Sequence, residues 1–209
     1  LYLLEKQSGE WRVLCKIDGF QDSCRLFEQE SAKVLWIYNS GSITRVELSE
    51  ELTRQISVKS YGVEEGFPVE RQIYVAKIEG RVYFTTPHGI YKYNVHKDMM
   101  EPCSDLNNLL NGAVPYTRML EYHERLISLS PHEICIANLG TYKRGANTSI
   151  NPIRQSFLEL GQDYEAIIPL SDSLMVIPNE EGFALFTVPE VRHSQDLTHS
   201  VYIRNMYLT

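Results

Sequence analysis

Two Pro-His pairs are the residues of this 209-residue chain whose spacing comes nearest to a ligand site. Pro87-His88 and Pro131-His132 hold equivalent positions in two similar segments, and Glu181 holds that position in a later one. Imidazole and carboxylate groups bind transition metals, but no close ligand spacing accompanies these residues, and Pro and His also suit tight turns. We therefore predict no metal and no cofactor, and keep His88 and His132 as ligand-binding candidates.

Tyrosines with nearby arginines offer a second kind of site. Tyr61 and Tyr116 border expected loops, and Arg71 and Arg118 are close to them in sequence. A tyrosine ring can stack on a sugar, and a guanidinium can hydrogen-bond hydroxyls or acids. Most of the 13 tyrosines should instead lie in half-buried strands, where tyrosine is favoured. These four residues complete the set of ligand-binding candidates.

Catalytic signatures are missing from the sequence. It contains no GxSxG elbow, P-loop, HExxH or cysteine with a local catalytic motif. The acid pairs Glu64-Glu65 and Glu180-Glu181 could serve a glycosidase, which needs two carboxylates at a fixed distance. Adjacent acids usually only solvate a turn, so we predict that this segment is not an enzyme and has no catalytic residue.

Charge and hydropathy exclude two other classes of partner for this segment. The 20 Lys and Arg residues are outnumbered by 27 Asp and Glu residues, and no basic run occurs, which argues against nucleic-acid binding. The apolar stretches, such as 166–170, are far shorter than the roughly 20 residues that cross a bilayer. The chain starts at Leu1 without a signal-type segment, and we expect it to be a piece of a longer polypeptide.

Four cysteines are too few for a disulfide scaffold, and none forms a CxxC pair. Cys15 and Cys24 could pair across a hairpin-like turn. Two buried free thiols are the favoured interpretation, and the disulfide state of this pair stays open.

An internal repeat organises the chain. A strand, a short turn and a second strand recur four times, in 34–46, 81–93, 126–136 and 175–186. The repeats are separated by 47, 44 and 49 residues when they are aligned on Ile43, Ile90, Ile134 and Phe183. Leu1 lies 42 residues before Ile43 and fits the same alignment. Further strand-like runs precede the hairpins (24–27, 72–76, 117–122, 164–168) or follow them (11–17, 55–61, 156–160).

The runs are rich in Val, Ile, Tyr and Phe and alternate with period two, which favours strands over helices. Four strands in a unit of 40–50 residues are typical of a propeller blade. We therefore predict an all-β chain whose β-propeller blades have four antiparallel strands, as a partial propeller of about four and a half blades in 1–190. Residues 191–209 would form a final strand or a linker to a following domain, and 49–55 and 104–110 short helices or turns.

One hairpin carries a family resemblance. Val82–Thr86 followed by Gly89–Asn94 resembles the regulator-propeller repeat of bacterial sensors, in which a "WiaT" strand precedes a "GLyrYd" strand. Trp36-Ile37 matches the first half in the preceding repeat, and 61–68 resembles the family's "y…eGLp" turn between blades. The tail that ends in 201–203 resembles the passage into the family's immunoglobulin-like domain.

The resemblance implies a membrane-anchored receptor with its propellers in the periplasm, linked through an immunoglobulin-like domain and a membrane helix to a histidine kinase or a DNA-binding domain. This segment would then be a sensor for oligosaccharides or other nutrients in a signal-transduction and transcription regulator. Its partners would be that ligand and the other propeller and immunoglobulin-like domains of the same chain, and a homodimer stays open. Two alternatives remain, a soluble WD-type scaffold that binds proteins and a propeller glycosidase or lyase.

Overall fold

The chain is all-β in its computed structural model, which describes residues 1–17, 24, 26–39, 42–110, 118–130, 133–140, 151–154, 166–179 and 182–188. It forms two compact units, Leu1–Pro115 and Tyr116–Thr209. Within each sheet, the described strands pair antiparallel with the strands next to them in sequence, so each sheet is a meander. The predicted all-β class and the four-stranded antiparallel sheets are therefore confirmed.

The first unit forms three sheets in the residues that the structure describes. Sheet I has only β1 (Tyr2–Gln7) and β2 (Glu10–Lys16) in the described residues. Sheet II has four strands, β3 (Leu26–Ser31), β4 (Val34–Asn39), β5 (Ser42–Leu48) and β6 (Gln55–Tyr61). Sheet III also has four, β7 (Tyr74–Ile78), β8 (Arg81–Thr86), β9 (Gly89–Asn94) and β10 (Met99–Pro102), and the helix α1 (Ser104–Leu109) follows it.

The described part of the second unit forms two sheets. Sheet IV comprises β11 (Arg118–Tyr122), β12 (Arg125–Leu129), β13 (Glu133–Asn138) and β14 (Asn151–Arg154). Sheet V has three strands in the described residues, β15 (Ile168–Ser171), β16 (Leu174–Asn179) and β17 (Gly182–Thr187). Buried residues of both sheets, Ile127, Leu129, Met175 and Phe186 among them, form the core of this unit.

Alternation along β4 explains why sheet II is covered on both faces. Trp36 and Tyr38 point to one side and pack into a core shared with sheet III. Ile37 lies on the opposite side, where it packs with Val46 and Ile17 against sheet I. A strand with apolar residues at successive positions is suited to a sheet buried on both faces. The run of apolar residues in β4 therefore fixes its place in the middle of a stack.

Aromatic rings fill the interface between sheets II and III. The indole of Trp36 meets the rings of Phe84 and Tyr93 edge-on at centroid distances of 4.9 and 5.1 Å. Phe67, which precedes sheet III in the chain, contacts Phe84 in the same way at 5.5 Å. Edge-to-face packing of this kind adds about 0.5–1.5 kcal/mol per pair to the burial of the rings. This aromatic core holds the two sheets together.

Most predicted strands are present, and several details of the prediction are corrected. The four hairpins and the strand at 55–61 are confirmed. Of the two segments predicted as short helices or turns, 104–109 is a helix and 49–54 forms turns. β10 was not predicted, because its alternation is short and ends in Pro102. The predicted strand at 156–160 lies outside the described residues, and the fourth strand of sheet IV is β14. Cys15 and Cys24 are unpaired, but the prediction of two buried thiols is wrong, because Cys24 is exposed and Cys15 half-buried.

An amide side chain attaches α1 to sheet III. The Nδ2 of Asn107 donates to the carbonyl oxygen of Ile90 at 3.0 Å, and its Oδ1 accepts from the N–H of Ile90 at 2.8 Å. The side chain thus satisfies both backbone groups of Ile90, as a neighbouring strand would. Gly89 leaves room for it, since a Cβ there would lie 2.8 Å from Oδ1.

Replacing Asn107 with aspartate is expected to lower the free energy of unfolding by about 2 kcal/mol, because one hydrogen bond is lost and a carboxylate faces the carbonyl of Ile90. Chemical denaturation monitored by circular dichroism measures the change. Asn108→Asp is the matched control, since Asn108 is exposed on the same helix and its replacement should change stability by less than about 0.5 kcal/mol. Equal effects of the two substitutions would contradict the role of the Asn107 side chain in attaching α1 to sheet III.

Candidate functional site

Tyr61, the first predicted ligand-binding residue, is part of the aromatic core. It is the last residue of β6 and is 2% exposed. Its ring contacts those of Trp36 at 5.2 Å and Tyr93 at 5.6 Å. A ring enclosed in this way offers a ligand no flat surface, so a contribution of Tyr61 to binding could come only through its hydroxyl group.

Two predicted residues lie at the same end of sheet III. Tyr74 pairs with Thr85, so the start of β7 lies beside the end of β8. Arg71 is exposed just before β7, and His88 is exposed in the turn just after β8. The N–H of His88 donates to Thr86 Oγ1 at 3.1 Å, which fixes the turn and leaves the imidazole outside it.

Of the other three candidates, only Arg118 lies among the described residues. Arg118 begins β11 in the second unit and is half-buried there. Tyr116 and His132 lie outside the described residues, as does Glu181. Among the described residues no three His, Cys, Asp or Glu side chains are grouped so that they could hold a metal ion.

An acid-centred cluster that the sequence analysis did not identify lies at the opposite end of β9. Asp98, in the turn between β9 and β10, accepts hydrogen bonds from the hydroxyls of Tyr61 at 2.6 Å and Tyr93 at 2.7 Å. Its second oxygen accepts from Lys59 Nζ at 2.6 Å, and this ammonium also lies 4.8 Å from the centre of the Tyr61 ring. We call these four residues the Asp98 cluster.

The Asp98 cluster joins two sheets that are distant in sequence. Lys59 and Tyr61 belong to β6 of sheet II, and Asp98 follows them by 37 residues or more. No local motif connects these positions, so only the packing of the sheets shows the cluster. The turn itself has a weak signal, because Asp98 has φ of 51°, a left-handed conformation in which aspartate is enriched.

Hydrogen bonding and burial shift the pKa values of this cluster in opposite directions. The hydrogen bond from Lys59, followed by those from the two tyrosines, holds the pKa of Asp98 below its usual range. Desolvation, with the hydrogen bond to Asp98, raises the pKa of Tyr61 and, less strongly, that of Tyr93. Asp98 is thereby kept ionised and the tyrosines are kept protonated.

These pKa shifts are more consistent with a structural role for the Asp98 cluster than with a catalytic one. A general base works best with a pKa near the operating pH, whereas Asp98 is shifted below that range and Tyr61 above it. The cluster therefore positions sheet III against sheet II.

Glu65, one of the acids considered for glycosidase chemistry, also has a local role. Its Oε2 accepts from the N–H of Gly62 at 2.8 Å, and its carbonyl oxygen accepts from the N–H of Met100 at 2.7 Å. The side chain thus caps a turn between the sheets, and the backbone ties that turn to β10.

Stability should fall on both sides of a pH plateau because of the Asp98 cluster. The contribution of Asp98 is complete above about pH 4, the pKa of an unfolded aspartate, and is lost as the pH falls through the lower folded pKa. The contributions of Tyr61 and Tyr93 are complete below about pH 10 and are lost as the pH rises beyond it. We expect Asp98→Asn to flatten the acid limb of a plot of denaturation midpoint against pH.

Tyrosine absorbance gives a second measurement of the same effect. Tyr61 and Tyr93 should ionise after the exposed tyrosines in the wild-type chain, and at lower pH in Asp98→Asn than in the wild type. Asp172→Asn is the control, because the Asp172 side chain is 96% exposed and a surface ion pair with His123 contributes little. If Asp98→Asn and Asp172→Asn changed the denaturation midpoint at acid pH equally, the assigned role of Asp98 would be contradicted.

Comparison with models of known protein families gives no match to this chain, and comparison with curated proteins gives none either. In the part of the chain that the structure describes, no helix has the length and apolar character needed to span a membrane. The observations define an all-β protein of successive antiparallel meanders, two of which are joined by the Asp98 cluster.

Proposed function

We propose that this chain is a β-propeller segment from the periplasmic sensor region of a bacterial signal-transduction and transcription regulator of the regulator-propeller type. It binds an oligosaccharide or another nutrient and does not catalyse a reaction. Ligand binding shifts a two-state equilibrium whose change passes to the membrane through a following domain.

The succession of similar sheets is the observation that carries this proposal. Sheets II and III are consecutive four-stranded meanders that pack face to face through apolar side chains, and sheet II packs on sheet I in the same way. A propeller blade is a four-stranded antiparallel meander, and neighbouring blades pack through their faces. This succession of packed antiparallel meanders supports the proposal of a partial propeller.

The residues that resemble the sensor family support the proposal through their positions. The hairpin with the "WiaT" and "GLyrYd" likeness forms β8 and β9, the two central strands of sheet III. The segment that resembles the turn between blades connects sheets II and III, and inserts Phe67 into the core that both sheets share. These two positions support the proposal, and the tail that ends in 201–203 lies outside the described residues.

The end of sheet III that carries Arg71 and His88 is the candidate ligand surface. A guanidinium and an imidazole can donate hydrogen bonds to the hydroxyl or carboxylate groups of a sugar. Both residues lie in connections on a rigid sheet, where binding residues concentrate.

A panel of neutral and acidic oligosaccharides tests ligand binding by isothermal titration calorimetry. We expect Arg71→Ala and His88→Ala each to weaken binding of a panel member by about tenfold. Arg81→Ala and His96→Ala are matched controls, because both residues are exposed at the other end of sheet III. Chromatography of the sugar after incubation should show it unchanged, whereas cleavage would make the segment an enzyme.

The parent coding sequence tests the receptor assignment separately. We expect an immunoglobulin-like domain, one apolar span of about 20 residues and a kinase or DNA-binding domain after Thr209. A stop codon soon after Thr209, or a reading frame without a membrane span, would overturn the receptor assignment.

A further inference from the structure

Gln72 has a backbone conformation that no hairpin turn requires. Its φ is 61°, in the left-handed region that residues other than Gly, Asn and Asp seldom adopt. Ser8, Glu79 and His123 also have a positive φ, but they lie in two-residue turns between paired strands, where such values are expected. Gln72 lies instead in the connection between sheets II and III, two residues before β7.

Buried residues on either side hold this conformation in place. Ile73 is 1% exposed and belongs to the core that sheets II and III share, and Val69 packs against the same core. The three residues between them, Glu70, Arg71 and Gln72, are exposed. An unfavourable backbone conformation persists only where the surrounding structure enforces it, and such positions are frequent at binding sites. The exposed segment 70–72 is therefore fixed at both of its ends.

The left-handed residue decides where the Arg71 side chain points. In an extended chain, residues two apart point to the same side, so an extended Gln72 would direct Arg71 to the buried side that Ile73 occupies. A left-handed residue interrupts this alternation, and Arg71 is exposed although Ile73 is buried. No described residue forms an ion pair with Arg71. Its guanidinium is thus available to a group from outside the protein.

An available guanidinium favours one class of ligand. It can bind both oxygens of a carboxylate through two parallel hydrogen bonds, which are stronger than hydrogen bonds to neutral hydroxyl groups. His88 is exposed at the same end of sheet III and can add a further donor. The saccharide that fits these two side chains best is one that carries a carboxylate group.

We propose that Gln72 is a positioning residue, whose left-handed backbone directs the Arg71 guanidinium to a carboxylate group of an acidic oligosaccharide. This proposal rests on the proposed function, since it names the ligand class for the same surface. The role belongs to the backbone of Gln72 and not to its side chain.

Two substitutions separate the backbone of Gln72 from its side chain. Valine is branched at Cβ and strongly disfavours a positive φ, whereas asparagine adopts it readily. The probes are oligomers of galacturonate, glucuronate and mannuronate, each paired with the neutral oligomer of the same sugar, in isothermal titration calorimetry. We expect Gln72→Val to weaken binding of a uronate oligomer by about tenfold and to leave binding of its neutral counterpart unchanged. Gln72→Asn should bind the uronate oligomer as the wild type does.

Glu79→Val is the matched control. Glu79 also has a left-handed backbone, with φ of 52°, and is exposed at the opposite end of β7. Valine should therefore strain the chain at either position to a similar degree. We expect similar midpoints for Gln72→Val and Glu79→Val in guanidinium denaturation followed by circular dichroism, but wild-type affinity for the uronate oligomer in Glu79→Val.

A double-mutant cycle shows whether Gln72 acts through Arg71. In the Arg71→Ala background, Gln72→Val should weaken binding by less than about twofold, because the group that it positions is absent. Additive effects of the two substitutions would overturn the proposal. Equal losses in Gln72→Val and Gln72→Asn would also overturn it, by assigning the effect to the side chain.

The outcomes separate this proposal from the proposed function. Unchanged binding in Gln72→Val, or a wild-type chain that binds neutral oligomers as tightly as uronate oligomers, would overturn this proposal and leave the proposed function standing. A wild-type chain that binds no oligosaccharide would overturn both.

Discussion

Trp36→Ala is expected to lower the free energy of unfolding by about 4 kcal/mol, the range found when a large aromatic side chain is removed from a core. Trp36 is fully buried, and its ring contacts Tyr61, Phe84 and Tyr93. Its Nε1 also donates to Glu30 at 2.7 Å, so the substitution leaves that carboxylate without this donor. A loss of this size is large against the total stability of a domain, about 5–15 kcal/mol.

The other tryptophan provides a matched control for this prediction. Trp11 is 66% exposed on the outer face of sheet I, so Trp11→Ala should change the stability of the isolated chain by less than about 0.5 kcal/mol. Guanidinium denaturation followed by circular dichroism measures both variants. Similar midpoints for the two would show that the aromatic core does not hold sheets II and III together.

Gly66→Ala is the second substitution with a large expected effect, about 3–5 kcal/mol, because it combines a strained backbone with a steric clash. Gly66 has φ of +102°, a conformation that L residues rarely adopt. A Cβ at this position would also overlap the carbonyl oxygen of Met100, a backbone atom of β10 that cannot rotate away. The connection between sheets II and III would have to move off β10.

Gly80→Ala separates the two causes. Gly80 also has a positive φ, of +74°, but nothing lies within 4 Å of a Cβ there, so its replacement should cost only the conformational strain, about 1–2 kcal/mol. The difference between the two variants in chemical denaturation measures the close approach of Gly66 to Met100. An equal loss of stability in Gly66→Ala and Gly80→Ala would mean that the clash with Met100 contributes nothing.

The glycine of the "eGLp"-like turn thereby gains a physical explanation. The resemblance identified Gly66 only as part of a pattern. In the structure the pattern allows a turn to approach β10 closely, with the carbonyl oxygen of Glu65 accepting from the N–H of Met100. The turn then directs Phe67 into the aromatic core.

Local patterning predicted most of the strands, because alternation with period two depends only on neighbours along the chain. The hairpins at β4–β5 and β8–β9 follow from their runs of Val, Ile, Tyr and Phe and from the turns between them. β10 was missed for the same reason, since a four-residue strand ending in proline has little alternation to detect. Its place is decided by pairing with β9 and by the hydrogen bond from Met100 to Glu65.

The candidate site shows the limit of that reasoning. The positions of Arg71 and His88 at one end of sheet III follow from the strand order that the sequence predicts. The burial of the Tyr61 ring does not, because a tyrosine at the end of a strand is equally compatible with a core and with a ligand surface. Cys24 was misjudged in the same way, since burial depends on which elements pack over a residue.

The all-β class, the repeat and the antiparallel hairpins could be predicted from the sequence, since they depend on composition and on spacing along the chain. It was the packing of the sheets that brought Trp36 and Phe84 into one core and joined Asp98 to two tyrosines and a lysine. The physical reason is that these contacts join side chains tens of residues apart. Only the packing of one sheet on another brings such residues within a few ångströms.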